Sequence, residues 1–333
     1  MTERETPSDA PPPAAQDAMA RFRRWAAIAV ALAVLMYVAY GLWTGLSATG
    51  AELARFNWPL YLPVLALTGV NYGLRYVKWA YLLDLLGVRV PRRANAWIFA
   101  SGLAMVISPG KAGELVKPYL VNVVTGAPMM RTVPALFVER GSDGLAVVML
   151  AAVGVSTYYS EATSLIWITL GVCAAMVVAL SIRPLMLGIL GLLSKVPGLG
   201  RVGDRLLEMY EATYVCLRPV PLAITMVVSL VAWLAECVGY WLIFHGMNVE
   251  ASLDGATFLY AFATVFGAPS PGGMGMADAA LVEGASKVIP GITGPQAVAA
   301  SILVRIATLW FGVLVGAVAL LRMERVIADS KES

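Results

Sequence analysis

Residues 107–120 read ISPGKAGELVKPYL, and residues 268–281 read APSPGGMGMADAAL. Each interrupts a longer apolar stretch, Ala94 to Val124 in the first case and Gly255 to Ile289 in the second. Proline lacks the amide hydrogen of a helical bond and disfavours helix in the residue before it, so Ser108-Pro109-Gly110 and Ser270-Pro271-Gly272 each split their stretch into two half-helices. Neither stretch reads as one continuous span, and both read as re-entrant hairpins. Around them lie six uninterrupted apolar runs, each long enough at about 1.5 Å per residue to cross a hydrocarbon core of about 30 Å. They extend from Trp25 to Leu46, Pro63 to Leu86, Pro134 to Val155, Thr163 to Ile182, Pro221 to Phe244 and Gln296 to Leu321. The fold class is therefore an all-α integral membrane protein with about six full transmembrane helices and two broken hairpins.

Composition agrees. Of 333 residues, 59% are hydrophobic and 14% charged, and the mean hydropathy is +0.75, far from the quarter-charged balance of a soluble domain. Three cysteines and one histidine leave no material for a histidine-based zinc site or a disulfide framework, so neither metal nor cofactor is expected. Cys173, Cys216 and Cys237 read as small buried hydrophobes, and His245 as a surface residue. A net charge of +3 does not suggest nucleic acid. Residues 1–20, with Pro11, Pro12 and Pro13, read as a disordered tail, 21–325 as one membrane domain, and 326–333 as a short second tail.

The basic residues are unevenly placed. With the N-terminus inside and both hairpins returning to their own side, Arg21, Arg23, Arg24, Arg89, Arg92, Arg93, Arg131, Arg183, Lys195, Arg201, Arg205, Arg218, Arg322 and Arg325 share the inner face. The outer loops hold Arg55 and Lys287. This bias puts both termini in the cytoplasm. Residues 203–217 read as an amphipathic helix on the inner surface. Trp25, Trp43, Trp58, Trp79, Trp97 and Tyr158 fall near the expected interfaces and read as aromatic anchors.

The order span, span, hairpin, span occurs twice, at about 25–156 and 163–321. Arg140 and Arg305 follow Ser108 and Ser270 by 32 and 35 residues. Each half crosses three times, so the second is inverted relative to the first, an arrangement of secondary transporters whose broken helices meet near the midplane.

The remaining polar residues fall into stripes. Lys111, Glu114 and Lys117 recur every third residue after the first break, and Asn71, Arg75 and Lys78 line one face of an apolar span. Glu139 and Asp143 flank Arg140. Charges at such depth cost at least about 2.5–3.5 kcal/mol each, so they face a cavity or a partner. Arg75 is too deep to reach the interface and is expected in a cavity. Glu139, Arg140 and Asp143 form a self-neutralising cluster or present Arg140 to a ligand; both readings stay open. Glu236 precedes Ser270 by nearly the distance that separates Arg75 from Ser108, and either pairs with a cation across the repeat interface or belongs to a structural ion pair; both readings stay open. Arg305 has no acidic residue within a turn of its own helix, which makes it the cleaner arginine to substitute. A helix N-terminus carries unpaired N–H groups and about half a positive charge, so each break offers an anion site.

Arg75-Tyr-Val-Lys-Trp79, the Ser108 to Tyr119 stretch, Val138-Glu-Arg-Gly-Ser-Asp143, Pro269-Ser-Pro-Gly-Gly-Met-Gly275 and Arg305 together resemble the flippase-like membrane domain of lysylphosphatidylglycerol synthases and their stand-alone relatives. The likeness runs from Trp25 to Arg325. It implies a protein that moves a phospholipid or polyprenyl-linked lipid between leaflets. The bifunctional members append an aminoacyl-transferase domain; with few residues after Arg325, this chain is expected not to aminoacylate lipid, which implies a separate lipid-synthesising enzyme as partner. The second break lacks counterparts of Lys111 and Glu114 and has Asp278 instead.

The function expected is transport of an anionic lipid. Its phosphate would be held by the two tips and buried arginines, through Arg75, Ser108, Gly110, Lys111, Glu114, Arg140, Ser270, Gly272, Gly273 and Arg305. Lys78, Glu139 and Asp143 would support these residues, with Glu114, Glu236 and Asp278 as proton carriers for an ion-coupled cycle. No catalytic residue is found. The alternatives are a membrane-embedded lipid-modifying enzyme or glycosyltransferase, and an ion or small-solute transporter.

Overall fold

A computed structural model describes residues 46–108, 113–158, 160–193 and 200–332, with isolated positions between 31 and 42. The expected first span from Trp25, the tail before it, and Pro109, Gly110 and Lys111 of the first break lie outside the described residues, isolated positions and Leu46 apart. The described residues are mostly helical and contain no strand. In chain order they form α1 (Leu46–Arg55), α2 (Tyr61–Leu85), α3 (Arg92–Ala104), α4 (Val116–Thr125), α5 (Met129–Tyr158), α6 (Thr163–Ser181) and α7 (Arg183–Leu193). There follow α8 (Gly200–Cys216), α9 (Pro219–Gly246), α10 (Leu253–Phe266), α11 (Met276–Val288), α12 (Gly294–Arg305) and, after a π-helical turn at Ile306–Trp310, α13 (Phe311–Glu332).

Local chemistry sets the ends. Pro219 and Pro221 open α9, where a missing N–H costs nothing. Thr293 caps α12, its Oγ1 accepting from the Gln296 N–H while Gln296 Oε1 accepts from the Thr293 N–H. The two long partners α2 and α9 stop in the same way. After α2 the chain passes through left-handed Gly87 (φ 67°), and the Val88 N–H bonds back to Leu83 O at 3.0 Å. After α9 it passes through left-handed Asn248 (φ 56°), and the Val249 N–H bonds to Phe244 O at 3.0 Å. Both are six-to-one helix stops, with a valine closing each.

The polar pattern of α2 is inside-out. Asn71, Arg75 and Lys78 are buried, with Lys78 only 1% exposed, whereas Val70 and Val77 on the outer side are 49% and 56% exposed. Phe137 and Val153 of α5, Val227 and Val231 of α9, and Leu314 and Leu321 of α13 are also exposed. Apolar side chains outward and charges inward suit a hydrocarbon surround rather than water. Among the described residues two segments, Pro219–Gly246 and Gly294–Met323, are long and apolar enough to cross a membrane; a third qualifies if α6 and α7, bent by 79° at their junction, count as one. Helices α2 and α5 have 25 and 30 residues and carry the buried charges Arg75, Lys78, Glu139 and Asp143.

Helix α7 was not expected. The apolar run ending at Ile182 meets Arg183-Pro184, and proline at the second position of α7 starts a new helix instead of prolonging the old one. The amphipathic segment expected at 203–217 is α8. Trp79 departs from its expected place at an interface. It is fully buried, its Nε1 donates to Asn95 Oδ1 at 2.9 Å, and Lys117 Nζ lies 4.4 Å from its ring centroid. An indole in that setting is a core residue with its polar edge satisfied.

Candidate functional site

The Ser-Pro-Gly breaks fold alike at their serines. Ser108 and Ser270 are extended, with ψ 147° and 148°. The Ser108 N–H bonds to Met105 O and the Ser270 N–H to Gly267 O, each at 3.0 Å, and each hydroxyl donates to the same carbonyl, at 2.7 and 3.0 Å. Ser108 Oγ also accepts from the Gly113 N–H at 2.8 Å. Both hydroxyls thus hold their own turns. In the second tip Gly272, Gly273 and Gly275 have φ of 60°, 74° and 78°, a backbone that side chains resist. The tips touch: a Cβ at Gly272 would lie 3.3 Å from Ile107 Cγ2.

Beside the first tip, charges from α2, α4, α5 and residues 113–115 form one lattice. Lys78 Nζ lies 2.5 Å from Asp143 Oδ1 and donates to Ser142 Oγ, Ser229 Oγ and Glu139 O at 2.7–3.2 Å. Arg75 Nε lies 3.3 Å from Asp143 Oδ2, and its Nη2 lies 4.0 Å from Glu139 Oε1. Lys117 Nζ pairs with Glu139 Oε2. Arg140 reaches Glu114 Oε2 at 2.7 Å, Glu139 Oε1 at 2.8 Å and Asp143 Oδ2 at 3.8 Å. Of the two readings left open for Arg140, these distances favour the self-neutralising cluster. Glu114 and Lys117 both turn toward α5, as their common spacing suggested; Gly110 and Lys111 lie outside the described residues.

The second tip differs. Arg305 Nε lies 3.1 Å from Asp278 Oδ1, and its Nη2 donates to Gly272 O at 2.6 Å. Two expectations fail here. Arg305 has an acidic partner on another helix, so substituting it alone exposes Asp278. The start of α11 is not an open anion site, because Asp278 Oδ2 accepts the Gly275 N–H at 3.0 Å. Within-helix spacing could show neither, since both depend on how α11 folds back against α12.

Glu236 also departs from expectation. Its Oε2 accepts from the Tyr260 hydroxyl at 2.6 Å, and no ion pair among the described residues includes it. The nearby cation of α2, Arg75, is taken by Asp143 of α5. Glu236 and Arg75 instead share the wall of a cavity of about 120 Å³, with Tyr72, Trp233, Gly273 and Arg305. Arg75 and Glu236 each lie ten residues, ~15 Å, from the nearer end of their helices, and Arg305 lies eleven residues into the joined span Gly294–Met323, so the cavity is at mid-depth. Arg75 Nη2 and Trp233 Nε1 are buried donors without a hydrogen-bond partner. The sequence reading passed over Trp233 and Ser229; Ser229 sits seven residues before Glu236, two turns along the same face, the one signal available.

Inward charges, outward apolar faces and a mid-depth cavity lined by apolar side chains together with Arg75, Glu236 and Arg305 define an integral membrane protein. The family model for the lysylphosphatidylglycerol synthase TM region matches residues 24–316, and the chain belongs to that family. It is also similar to a UPF0104 membrane protein of Methanothermobacter thermautotrophicus (strain Delta H), 24% identical over 328 residues that cover 91% of this chain and 93% of the relative. The resemblance drawn from the sequence motifs is thereby shown at family level.

Proposed function

We propose that this protein moves an anionic phospholipid or polyprenyl-phosphate-linked lipid between leaflets, the headgroup passing through the mid-depth cavity while the tails stay in the bilayer. The observation that carries the reading is a cavity lined by Arg75, Trp233 and Arg305, where Trp233 Nε1 and Arg75 Nη2, the latter 4.0 Å from Glu139 Oε1, have no hydrogen-bond partner. Buried N–H groups without partners are costly, and an acceptor-rich phosphate would satisfy them. At about 120 Å³ the cavity suits a small polar group and not acyl chains.

Six spans in two inverted repeats, with re-entrant hairpins and both termini cytoplasmic, form the scaffold of this reading. Supporting it are the matched helix stops at Gly87 and Asn248, the matched serine turns at 108 and 270, and a reciprocal packing of halves. Helix α2 packs on α9, while the first hairpin arm of each half crosses the last long helix of the other, α3 on α13 and α10 on α5. A glycine lies at each crossing: a Cβ at Gly316 would meet Ala104, and one at Gly154 would meet Phe258. With that topology, a cysteine near Met247 at the exposed position of Glu250, Glu250→Cys, reacts with an impermeant thiol reagent from outside and Arg92→Cys only from inside; the reverse pattern contradicts it.

The substrate class is tested by thermal unfolding of the detergent-purified protein with added lipid. A specific ligand at one hundred times its Kd stabilises the folded state by about 2.7 kcal/mol. Phosphatidylglycerol or a polyprenyl phosphate is expected to raise the Tm with the logarithm of its concentration, and phosphatidylcholine is not. Equal shifts from all three lipids contradict an anion site.

A further inference from the structure

Glu236 is the charge in the cavity that the proposed function leaves unexplained. It is 5% exposed, it accepts one hydrogen bond from Tyr260, and it shares the wall with the orphan donors of Arg75 and Trp233. Several groups face it. Helix α2 presents Tyr72 and Arg75, α5 presents Asp143, α10 presents Tyr260, and α12 presents Arg305; Cys237 and Tyr240 are its neighbours on α9. Arg75 and Arg305 are already drawn to Asp143 and Asp278. Their charge is therefore only partly available to offset a second anion placed beside a Glu236 carboxylate, where water is scarce and repulsion is weakly screened.

We infer that Glu236 takes up one proton when an anionic headgroup enters the cavity, so that this protein couples lipid movement to proton movement. The inference rests on the proposed function. A proton from bulk water adds to a carboxylate oxygen of Glu236, which becomes a neutral carboxyl; no other bond changes. The new O–H donates to a phosphate oxygen of the headgroup, beside the donors of Arg75 and Trp233, and the Tyr260 hydroxyl continues to hold the Glu236 side chain in place. The cavity then carries one anion rather than two. When the headgroup leaves, the carboxyl releases its proton to the side on which the lipid departs, and a pH gradient across the membrane becomes a driving force.

The test uses the full chain in detergent, with dihexanoyl phosphatidylglycerol as probe. Proton uptake is read with a pH dye in weakly buffered solution, and affinity by titration calorimetry across a pH series. Wild type is expected to take up protons on binding, approaching one per probe bound, with affinity falling toward tenfold per pH unit once Glu236 is ionised in the free protein. Glu236→Gln, which keeps the side-chain shape and cannot titrate, is expected to bind without proton uptake and with a flat pH profile. Binding by wild type with no proton uptake at any pH overturns the inference and leaves the proposed function standing. Persistent uptake in Glu236→Gln overturns the assignment to that residue. Absence of probe binding overturns both. If Glu236→Gln fails to fold, the wild-type proton count alone decides.

Discussion

Around the first Ser-Pro-Gly break, Arg75, Lys78, Lys117 and Arg140 meet Glu114, Glu139 and Asp143 in one lattice, whereas at the second break Arg305 meets Asp278 beside a cavity. The serine turns of the two tips nonetheless share the same backbone bonds. The difference lies in what surrounds equivalent turns. Near the first tip the ion pairs lock α2, α4 and α5 together; near the second, Trp233, Glu236 and Arg305 line a cavity. Arg75 belongs to both regions, with its Nε near Asp143 and its Nη2 near Glu139 of the lattice while the side chain also lines the cavity.

The contrast is broken most severely at Asp143. Asp143→Ala leaves Lys78 and Arg75 without their shared carboxylate, and a buried pair broken on one side costs about 3–5 kcal/mol. The folded yield and Tm of this variant are expected to fall furthest. Arg305→Gln removes a charge-assisted contact worth about 1.5–3 kcal/mol while Asp278 keeps its bond to the Gly275 N–H, so its Tm falls less. Equal losses would erase the distinction between lattice and cavity. Gly316→Ala pushes a methyl against the backbone of α3, with Ala100 O at 2.9 Å, and overpacking of this kind costs about 1–3 kcal/mol. Gly154→Ala sets a methyl 2.7 Å from the Phe258 Cβ, an atom that side-chain rotation cannot move, and is expected to lower the Tm by a similar overpacking cost of about 1–3 kcal/mol. The smallest effect is at Ser229→Ala, which removes one acceptor from Lys78 for about 1 kcal/mol; a neutral result would place Ser229 outside the lattice.

Much of this architecture was legible before any coordinates. The breaks at Ser108 and Ser270 could be read because proline and glycine act on their own backbone, and the stripe of Asn71, Arg75 and Lys78 because helical spacing fixes which residues share a face. Pairings between helices were not legible. That Lys117 finds Glu139, Arg305 finds Asp278 and Glu236 finds Tyr260 depends on how separate helices cross. Trp79 shows the same limit, since its distance from a span's end suggested an interface while the fold of α3 and α4 around α2 buries it.

The most direct test of the central claim is a leaflet-accessibility assay in proteoliposomes carrying fluorescently labelled phosphatidylglycerol. The informative variant is the double substitution Arg305→Gln with Asp278→Asn, which removes the ion pair as a unit and leaves neither charge uncompensated beside the cavity. Wild type is expected to move the label between leaflets faster than empty vesicles. Losing a charge-assisted contact of about 1.4 kcal/mol or more to the crossing headgroup slows the folded double variant about tenfold or further. Wild-type transport by a well-folded double variant, or no transport by the wild type, would contradict the account.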